Sequence, residues 1–188
     1  MRKISVIAAG VAAFATAAGL TGAASPASKP PSITANSIGG AKLGMPATYY
    51  KAAFGAPYFS EPAPGGGPFS RLVFAKRKIA VYLWNGADAG VEIVSWNRAD
   101  HTAEGTGPCS PIAHLSASYG SKALPVPTNT INGAVYVYHV ANILFAANGK
   151  PPHPSTHVTA VATYWPSLFH EQKPTGWAGF FILSSPNC

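Results

Sequence analysis

Few side chains in this 188-residue chain could act as a catalytic group or a metal ligand. It contains six Asp or Glu residues, six His residues and two Cys residues. The sequence lacks the Gly-x-Ser-x-Gly motif of hydrolases, the His-Glu-x-x-His motif of zinc proteases and a phosphate-binding glycine loop. The glycines at 65–67 follow no predicted strand and open no predicted helix. We therefore predict no catalytic residue, no metal site and no cofactor.

Two groups of polar residues leave weaker alternatives open. The first, in and after the segment HPSTH, consists of His153, His157, His170 and Glu171. These residues lack the helical spacing and the intervening acidic partner of common zinc sites, so a solvated turn is favoured. The second, in NRADHTAEGTG, consists of Asp100, His101 and Glu104. Acid–base chemistry is open to them, but the composition favours a solvated linker.

Aromatic residues, in contrast, recur at one parity in three predicted strands. Tyr82 and Trp84 alternate with aliphatic residues in IAVYLW, Tyr136 and Tyr138 do so in VYVYHV, and Trp96 ends VEIVSW. Successive side chains of a strand point to opposite faces, so we expect these five to share one face of a sheet. Tyr and Trp anchor many interfaces, and this face is predicted to bind a protein or a glycan of the cell envelope. The alternative is that the same aromatic residues are packed beneath loops or between two halves of the chain.

The first 27 residues have the layout of a secretory signal peptide. A short positive start at 1–3 precedes an apolar run at 4–20, and small residues follow that suit a cleavage site. Cleavage leaves a mature chain of about 160 residues. We predict a secreted or extracellular protein, with association to the cell wall as one option, and no stable membrane insertion once the signal is removed.

The charge excess is moderate and mostly scattered. The net charge is +7, and loss of Arg2 and Lys3 with the signal peptide leaves +5. Only Arg71 and residues 76–78 form a basic cluster, which the pattern places at the tip of a hairpin as a solvated turn. This distribution does not indicate nucleic-acid binding, but it favours encounter with an acidic partner.

The two cysteines, Cys109 and Cys188, are predicted to form a disulfide. An exported chain meets an oxidising compartment, where a cysteine pair is more often bridged than free. Closing so long a loop could contribute about 4 kcal/mol by restricting the unfolded chain. A catalytic Cys109 assisted by His114 is the disfavoured alternative.

Two short segments show the same helix signals at an offset of 65 residues. They are GMPATYYKAAFG (44–55) and CSPIAHLSASYG (109–120). Pro46 and Pro111 suit a helix start, and Gly55 and Gly120 suit a helix end. Each predicted helix has fewer than three turns, so each must lie against other elements to be stable.

Strand-like runs follow each predicted helix. RLVFA, IAVYLW and VEIVSW follow the first, and VYVYHV, ANILFAA and HVTAVATYW follow the second, with GWAGFFILS near the end. We predict an α+β fold of two tandem units, each with one short helix and about three antiparallel strands, and with the helices on one face of the sheet. The predicted boundaries are a flexible linker at 28–40, a first unit at 41–98, and a second unit of three or four strands at 107–188, in a monomeric protein.

The segment IGGAKLGMPATYYKAAFGAP, residues 38–57, resembles the helix motif of SmpA/BamE-like lipoproteins and of secreted β-lactamase-inhibitor proteins (BLIP-like). The matching residues are Gly44, Met45, Tyr50, Phe54, Gly55 and Pro57. Pro46 stands where the motif has Thr, and Cys109 and Ser110 replace the Gly-Met pair in the second unit. The resemblance implies a secreted binding module of tandem helix-plus-strand units, with enzyme inhibition as one use; it transfers no contact residue.

The sequence thus predicts a secreted, non-catalytic binding protein that engages its partner through the aromatic sheet face. A small extracellular hydrolase is the first alternative, and it should have a deep pocket with convergent polar groups. A passive structural protein of the envelope is the second, and it requires neither a pocket nor an exposed aromatic face.

Overall fold

A computed structural model of the protein describes residues 32–62, 68–130, 133–148, 156–168 and 188. Two α-helices lie in these ranges, α1 (Ala47–Phe54) and α2 (Ile112–Tyr119), at the predicted places. Each ends at a glycine with positive φ, 86° at Gly55 and 53° at Gly120, a conformation that glycine adopts without strain. No helix in the described ranges combines the length and the apolar character needed to traverse a bilayer.

Eleven strands lie in the described ranges, and every pair of neighbouring strands is antiparallel. Three two-residue strands form a small sheet: β1 (Ile33–Thr34), β2 (Ser37–Ile38) and β3 (Ala41–Lys42). The large sheet contains β4 (Phe59–Pro62), β5 (Phe69–Phe74), β6 (Ile79–Trp84), β7 (Ala89–Ser95), β8 (Leu124–Thr130), β9 (Gly133–Val140), β10 (Ile143–Asn148) and β11 (Val158–Tyr164). Its strand order is β4-β5-β6-β7-β11-β10-β9-β8. The predicted α+β class is therefore confirmed.

Each helix is followed in the chain by four strands that neighbour one another in order. The meander β4–β7 follows α1, the meander β8–β11 follows α2, and the two meet at the β7–β11 pair. The prediction of three strands after the first helix is wrong, and neither β4 nor β8 was among the predicted strands. The misleading residues are Pro62, Pro125 and Pro127. Both strands are outermost in the described sheet, and an outermost strand tolerates proline where its N–H would point away from the neighbouring strand. The predicted strand GWAGFFILS lies outside the described residues.

The segment before α1 is not a flexible linker from residue 32 onward, which corrects the predicted boundary at 28–40. Ile33 and Ile38 are buried with the main core. The backbone N–H of Ile33 donates to the carbonyl of His101 at 3.0 Å, and the Thr163 hydroxyl donates to the carbonyl of Ala35 at 2.6 Å. The Pro- and Ser-rich composition hid these contacts because two isolated isoleucines carry the packing.

Both helices pack on the same face of the large sheet, which we call the helix-side face. Tyr50 from α1 and Leu115 from α2 are fully buried there beside Val81 and Phe145. Neither eight-residue helix would persist alone, so this shared apolar contact is what stabilises them. The opposite face is the second face. Its buried members are Ala80, Tyr82, Val91, Val94, Val137, Leu144, Ala146, Ala160, Ala162 and Tyr164.

Cys109 and Cys188 form a disulfide, as predicted. The backbone N–H of Cys109 donates to the carbonyl of Val158 at 2.7 Å, which holds this cysteine beside β11. Because its sulfur is bonded, Cys109 cannot be a thiolate nucleophile. The Nε2 atom of His114, the disfavoured catalytic partner, lies 3.2 Å from the carbonyl oxygen of Glu104 instead.

Gly90→Ala should destabilise the fold, because a Cβ at Gly90 would overlap the hydroxyl of the buried Tyr50. Tyr50 cannot yield easily, since that hydroxyl donates to the carbonyl of Lys42. We expect a loss of about 1–3 kcal/mol in the free energy of unfolding, measured by urea denaturation. Gly86→Ala is the matched control, because its Cβ would meet only the exposed Trp84 ring at 3.4 Å. Equal effects of the two substitutions would contradict this account.

Candidate functional site

The five aromatic residues predicted to share a face are divided between the two faces. Tyr82 belongs to the second face and Trp96 packs against that cluster, whereas Tyr136 and Tyr138 belong to the helix-side core. Alternation within one strand shows which of its residues share a face. Whether residues of two different strands share a face depends on the register between those strands. That register places Val137, not Tyr138, in the cluster that contains Tyr82. The shared aromatic face is therefore a wrong prediction.

Exposure also separates these residues. Tyr82 is 2% exposed and Tyr138 is 4% exposed, so neither presents a surface to a partner. Trp84, at the end of β6, is 36% exposed and is the most accessible member of the set. A role for Trp84 in binding stays a prediction, which the variant Trp84→Ala tests.

A row of ionisable side chains crosses the second face. The strand register places Arg71 opposite Tyr82, Tyr82 opposite Glu92, and Glu92 opposite Tyr164. These residues lie on the adjacent strands β5, β6, β7 and β11. Glu92 is buried, and in the described structure its Oε1 atom has no hydrogen-bond donor. Burial raises the pKa of Glu92 to about 8. Burial, and then the Glu92 carboxylate beside it, raises the pKa of the Tyr82 phenol.

This buried row was not among the candidates from the sequence. Strongly shifted pKa values often mark functional sites, but a ligand needs access, and both Tyr82 and Glu92 are buried. The row therefore bears on stability rather than on ligand binding. The sequence does contain a hint of this buried row. In VEIVSW, Glu92 is flanked by apolar residues on both sides, which indicates that the strand is buried.

An accessible groove lies between the end of α1 and the tip of the β5–β6 hairpin. Its cavity has a volume of about 400 Å³. The lining residues are Phe54, Gly55, Ala56, Tyr58, Phe74, Ala75, Lys76 and Arg77, and we call this site the basic groove. The rings of Phe54 and Phe74 meet edge to face, with centroids 5.3 Å apart. Tyr58 is 84% exposed, which is unusual for so large an apolar surface.

Local sequence signals build both walls of the basic groove. Gly55 ends α1, and its N–H donates to the carbonyl of Lys51 at 2.9 Å. The chain then turns back, and the N–H of Tyr58 donates to the carbonyl of Val73 on β5 at 2.8 Å. On the other wall, the N–H of Arg77 donates to the carbonyl of Phe74 at 2.9 Å and closes the hairpin turn. Tyr58 and Arg77 therefore project from backbone that hydrogen bonds hold in place.

The charged side chains that line the described part of the basic groove are cations. The predicted basic hairpin tip is confirmed for residues 76–78, which lie in an exposed turn at 75–78, but Arg71 lies on β5 and not at the tip. Lys76 and Arg77 line the groove, and Lys78 completes the turn with a positive φ of 56°. The described lining residues include no carboxylate, imidazole, thiol or serine hydroxyl. The arrangement can therefore bind an anion beside an apolar surface, but it offers no pair of groups for proton transfer.

The corresponding helix end in the second half of the chain is closed in a different way. The Tyr119 hydroxyl donates to Oε2 of Glu104 at 2.6 Å, and this hydrogen bond lowers the pKa of the Glu104 carboxyl. Burial, and then the same hydrogen bond, raises the pKa of Tyr119 to about 12. The β9–β10 hairpin turns through Ala141 and Asn142 and carries no cation there. In the described structure, the combination of aromatic floor and basic rim therefore belongs to the first half.

The weaker candidates from the sequence do not assemble into a site within the described residues. Asp100 is buried and accepts a 2.6 Å hydrogen bond from the Ser95 hydroxyl, so its interpretation as part of a solvated loop is wrong. His153, His170 and Glu171 lie outside the described residues, and His157 forms an isolated bridge with Pro111. No cluster of three or more potential metal ligands occurs where the structure is described.

Comparisons of the chain with protein-family models, with curated proteins and with solved structures found no match. The resemblance to BLIP-like proteins therefore rests on the residues at 38–57 that carry it.

Proposed function

We propose that this chain is a secreted, non-catalytic binding protein that engages a protein partner through the basic groove. The observation that carries the proposal is the exposed Tyr58 beside the Phe54–Phe74 pair, with Lys76 and Arg77 on the rim. Tyr and Arg are the residues that most often dominate binding energy at protein interfaces, especially when they surround an apolar pocket.

Rigidity of the surroundings supports the same proposal. The floor residue Phe74 is buried in the helix-side core, and Phe54 packs against that core. The backbone of Tyr58 is hydrogen-bonded to β5, so this residue does not lie in a free loop. A site held by the sheet loses little conformational entropy when a partner binds, which favours affinity.

Two further expectations belong to the proposal. Export follows from the signal-peptide layout at 1–27, and the Cys109–Cys188 disulfide is consistent with an oxidising compartment. Duplication of a helix-plus-four-strand unit accounts for the strand order and for the 65-residue offset between the starts of α1 and α2. One unit would then have kept a groove that the other has closed.

Tyr58→Ala should reduce capture of the partner from the secreted proteins of the producing cell by about thirtyfold in affinity, the scale of an interface hot spot. The substitution should leave the melting temperature unchanged, because the side chain is exposed. Trp84→Ala is the matched control, since Trp84 is also exposed but lies outside the groove. Loss of capture with Trp84→Ala and not with Tyr58→Ala would move the site to the sheet end. Full capture by both variants would refute the proposal.

A further inference from the structure

We propose that the basic groove binds an acidic segment of its partner in which an aromatic or aliphatic side chain stands next to carboxylates. This inference rests on the proposed binding function and adds the chemistry of the partner. It combines two properties of the groove that a single occupant must satisfy, the charge of its rim and the apolar character of its floor.

Charge complementarity argues for carboxylates. Lys76 and Arg77 line the groove, and exposed Lys78 and Lys51 stand in the adjoining turn and the last turn of α1. Among the lining residues that the structure describes there is no Asp or Glu. An Arg can hold a carboxylate through two parallel hydrogen bonds, and a Lys adds a compact second charge. An acidic segment would also be steered toward this rim during encounter.

The floor argues for an apolar side chain among those carboxylates. The Phe54 and Phe74 rings and the exposed face of Tyr58 offer aromatic surface inside a cavity of about 400 Å³. That volume lies in the range of about 300–1,000 Å³ that is usual for ligand sites. A neutral glycan would leave the cations without partners, and a polyanion without apolar groups would leave the rings without contacts. A peptide that carries both kinds of group satisfies both.

The chain itself offers a control for nonspecific attraction between opposite charges. Arg98 and Lys122 are exposed cations outside the groove, and Lys122 follows α2 at the helix end that Tyr119 closes. The double variant Arg98→Ala/Lys122→Ala therefore changes the net charge as much as Lys76→Ala/Arg77→Ala does. Any difference between the two double variants reports the position of the charges, not their number.

The experiment measures fluorescence anisotropy of short labelled peptides with the purified, disulfide-bonded protein. The first peptide places one Phe among Glu residues, the second replaces the Phe by Ser, and the third replaces every Glu by Lys. Polygalacturonate is the acidic glycan probe. We expect saturable binding of the first peptide that weakens with salt. The Phe-to-Ser peptide and the Lys76→Ala/Arg77→Ala variant should each lower affinity about tenfold, and the Arg98→Ala/Lys122→Ala variant should not.

Several results would overturn the inference. They are an absence of saturable binding by the first peptide, an equal loss in the two double variants, and preference for the Ser peptide or for polygalacturonate. If a partner is captured through Tyr58 while the acidic peptide does not bind, the proposed function stands and the partner chemistry is wrong. If the Tyr58→Ala variant captures the partner as well as the wild type does, the groove is not the binding site. The proposed function and the proposed partner chemistry then both fail.

Discussion

Glu92→Gln should make the protein more stable than the wild type at alkaline pH, by on the order of 4–5 kcal/mol above about pH 9. At about pH 4.5 the two proteins should differ little, because Glu92 is then largely protonated and resembles an amide in shape and charge. The difference arises from burial, which raises the pKa of this carboxyl from 4.5 to about 8. Gln fills the same space on the second face without an ionisable proton.

The sign follows from proton linkage. Between the unfolded pKa near 4.5 and the folded pKa near 8, the folded protein binds more protons at Glu92 than the unfolded chain does. Stability from this group is therefore complete below about pH 4.5 and is lost as the pH rises through about 8. Each pH unit in that window removes about 1.4 kcal/mol from the free energy of unfolding.

Urea denaturation of the wild type and of Glu92→Gln across the pH range measures the effect as the difference between their free energies of unfolding at each pH. His139 also contributes to the wild-type profile, because burial lowers its pKa and stability from it is lost as the pH falls below its ordinary value of 6.5. That contribution cancels in the difference, since both proteins contain His139. Glu104→Gln is the control, because this exposed carboxyl has a lowered pKa and should show the opposite sign and a small effect. A flat difference curve for Glu92→Gln would contradict this account, because it would mean that burial does not raise the pKa of Glu92 above its unfolded value.

Local signals in the sequence located most of the secondary structure. Helix starts near prolines and helix ends at Gly55 and Gly120 depend on backbone preferences of a few adjacent residues. In the structure each helix begins at the residue directly after its proline and ends before its glycine. The hairpin tip at 75–78 is equally local. The edge strands β4 and β8 were missed because proline is excluded from a strand only where its N–H is needed, and that depends on the position of the strand in the sheet.

The candidate site depends on relations that the sequence does not display. Whether Tyr82 and Tyr138 share a face is a matter of register between strands far apart in the chain, and one residue of shift reverses the answer. The basic groove unites Tyr58 with Arg77, which are separated by the whole of β5. The basic cluster was visible in the sequence, but its aromatic neighbours became evident only when α1 was placed against the hairpin.

Removing the Cys109–Cys188 disulfide with the double variant Cys109→Ala/Cys188→Ala should lower the free energy of unfolding by about 4.5 kcal/mol. The two cysteines are 79 residues apart in the chain, so the bridge closes a loop that contains α2 and every strand from β8 to β11. In the chain-entropy account, the cross-link stabilises the protein mainly by restricting the unfolded state. The cost is comparable to the whole stability of many domains of this size, so the variant is expected to be marginally folded.

Equilibrium urea unfolding of the oxidised wild type, the reduced wild type and the double variant tests this origin. The reduced wild type and the variant should have similar midpoints, because both lack the cross-link and the two alanines remove little else. The slope of the unfolding free energy against urea concentration should become steeper when the disulfide is lost, because the unfolded chain without the cross-link exposes more surface. A loss below about 1 kcal/mol would mean that the unfolded chain is already compact around α2. The basic groove lies outside the closed loop, so the molecules that remain folded should bind its ligand with unchanged affinity, which separates the role of the disulfide in stability from the function of the groove.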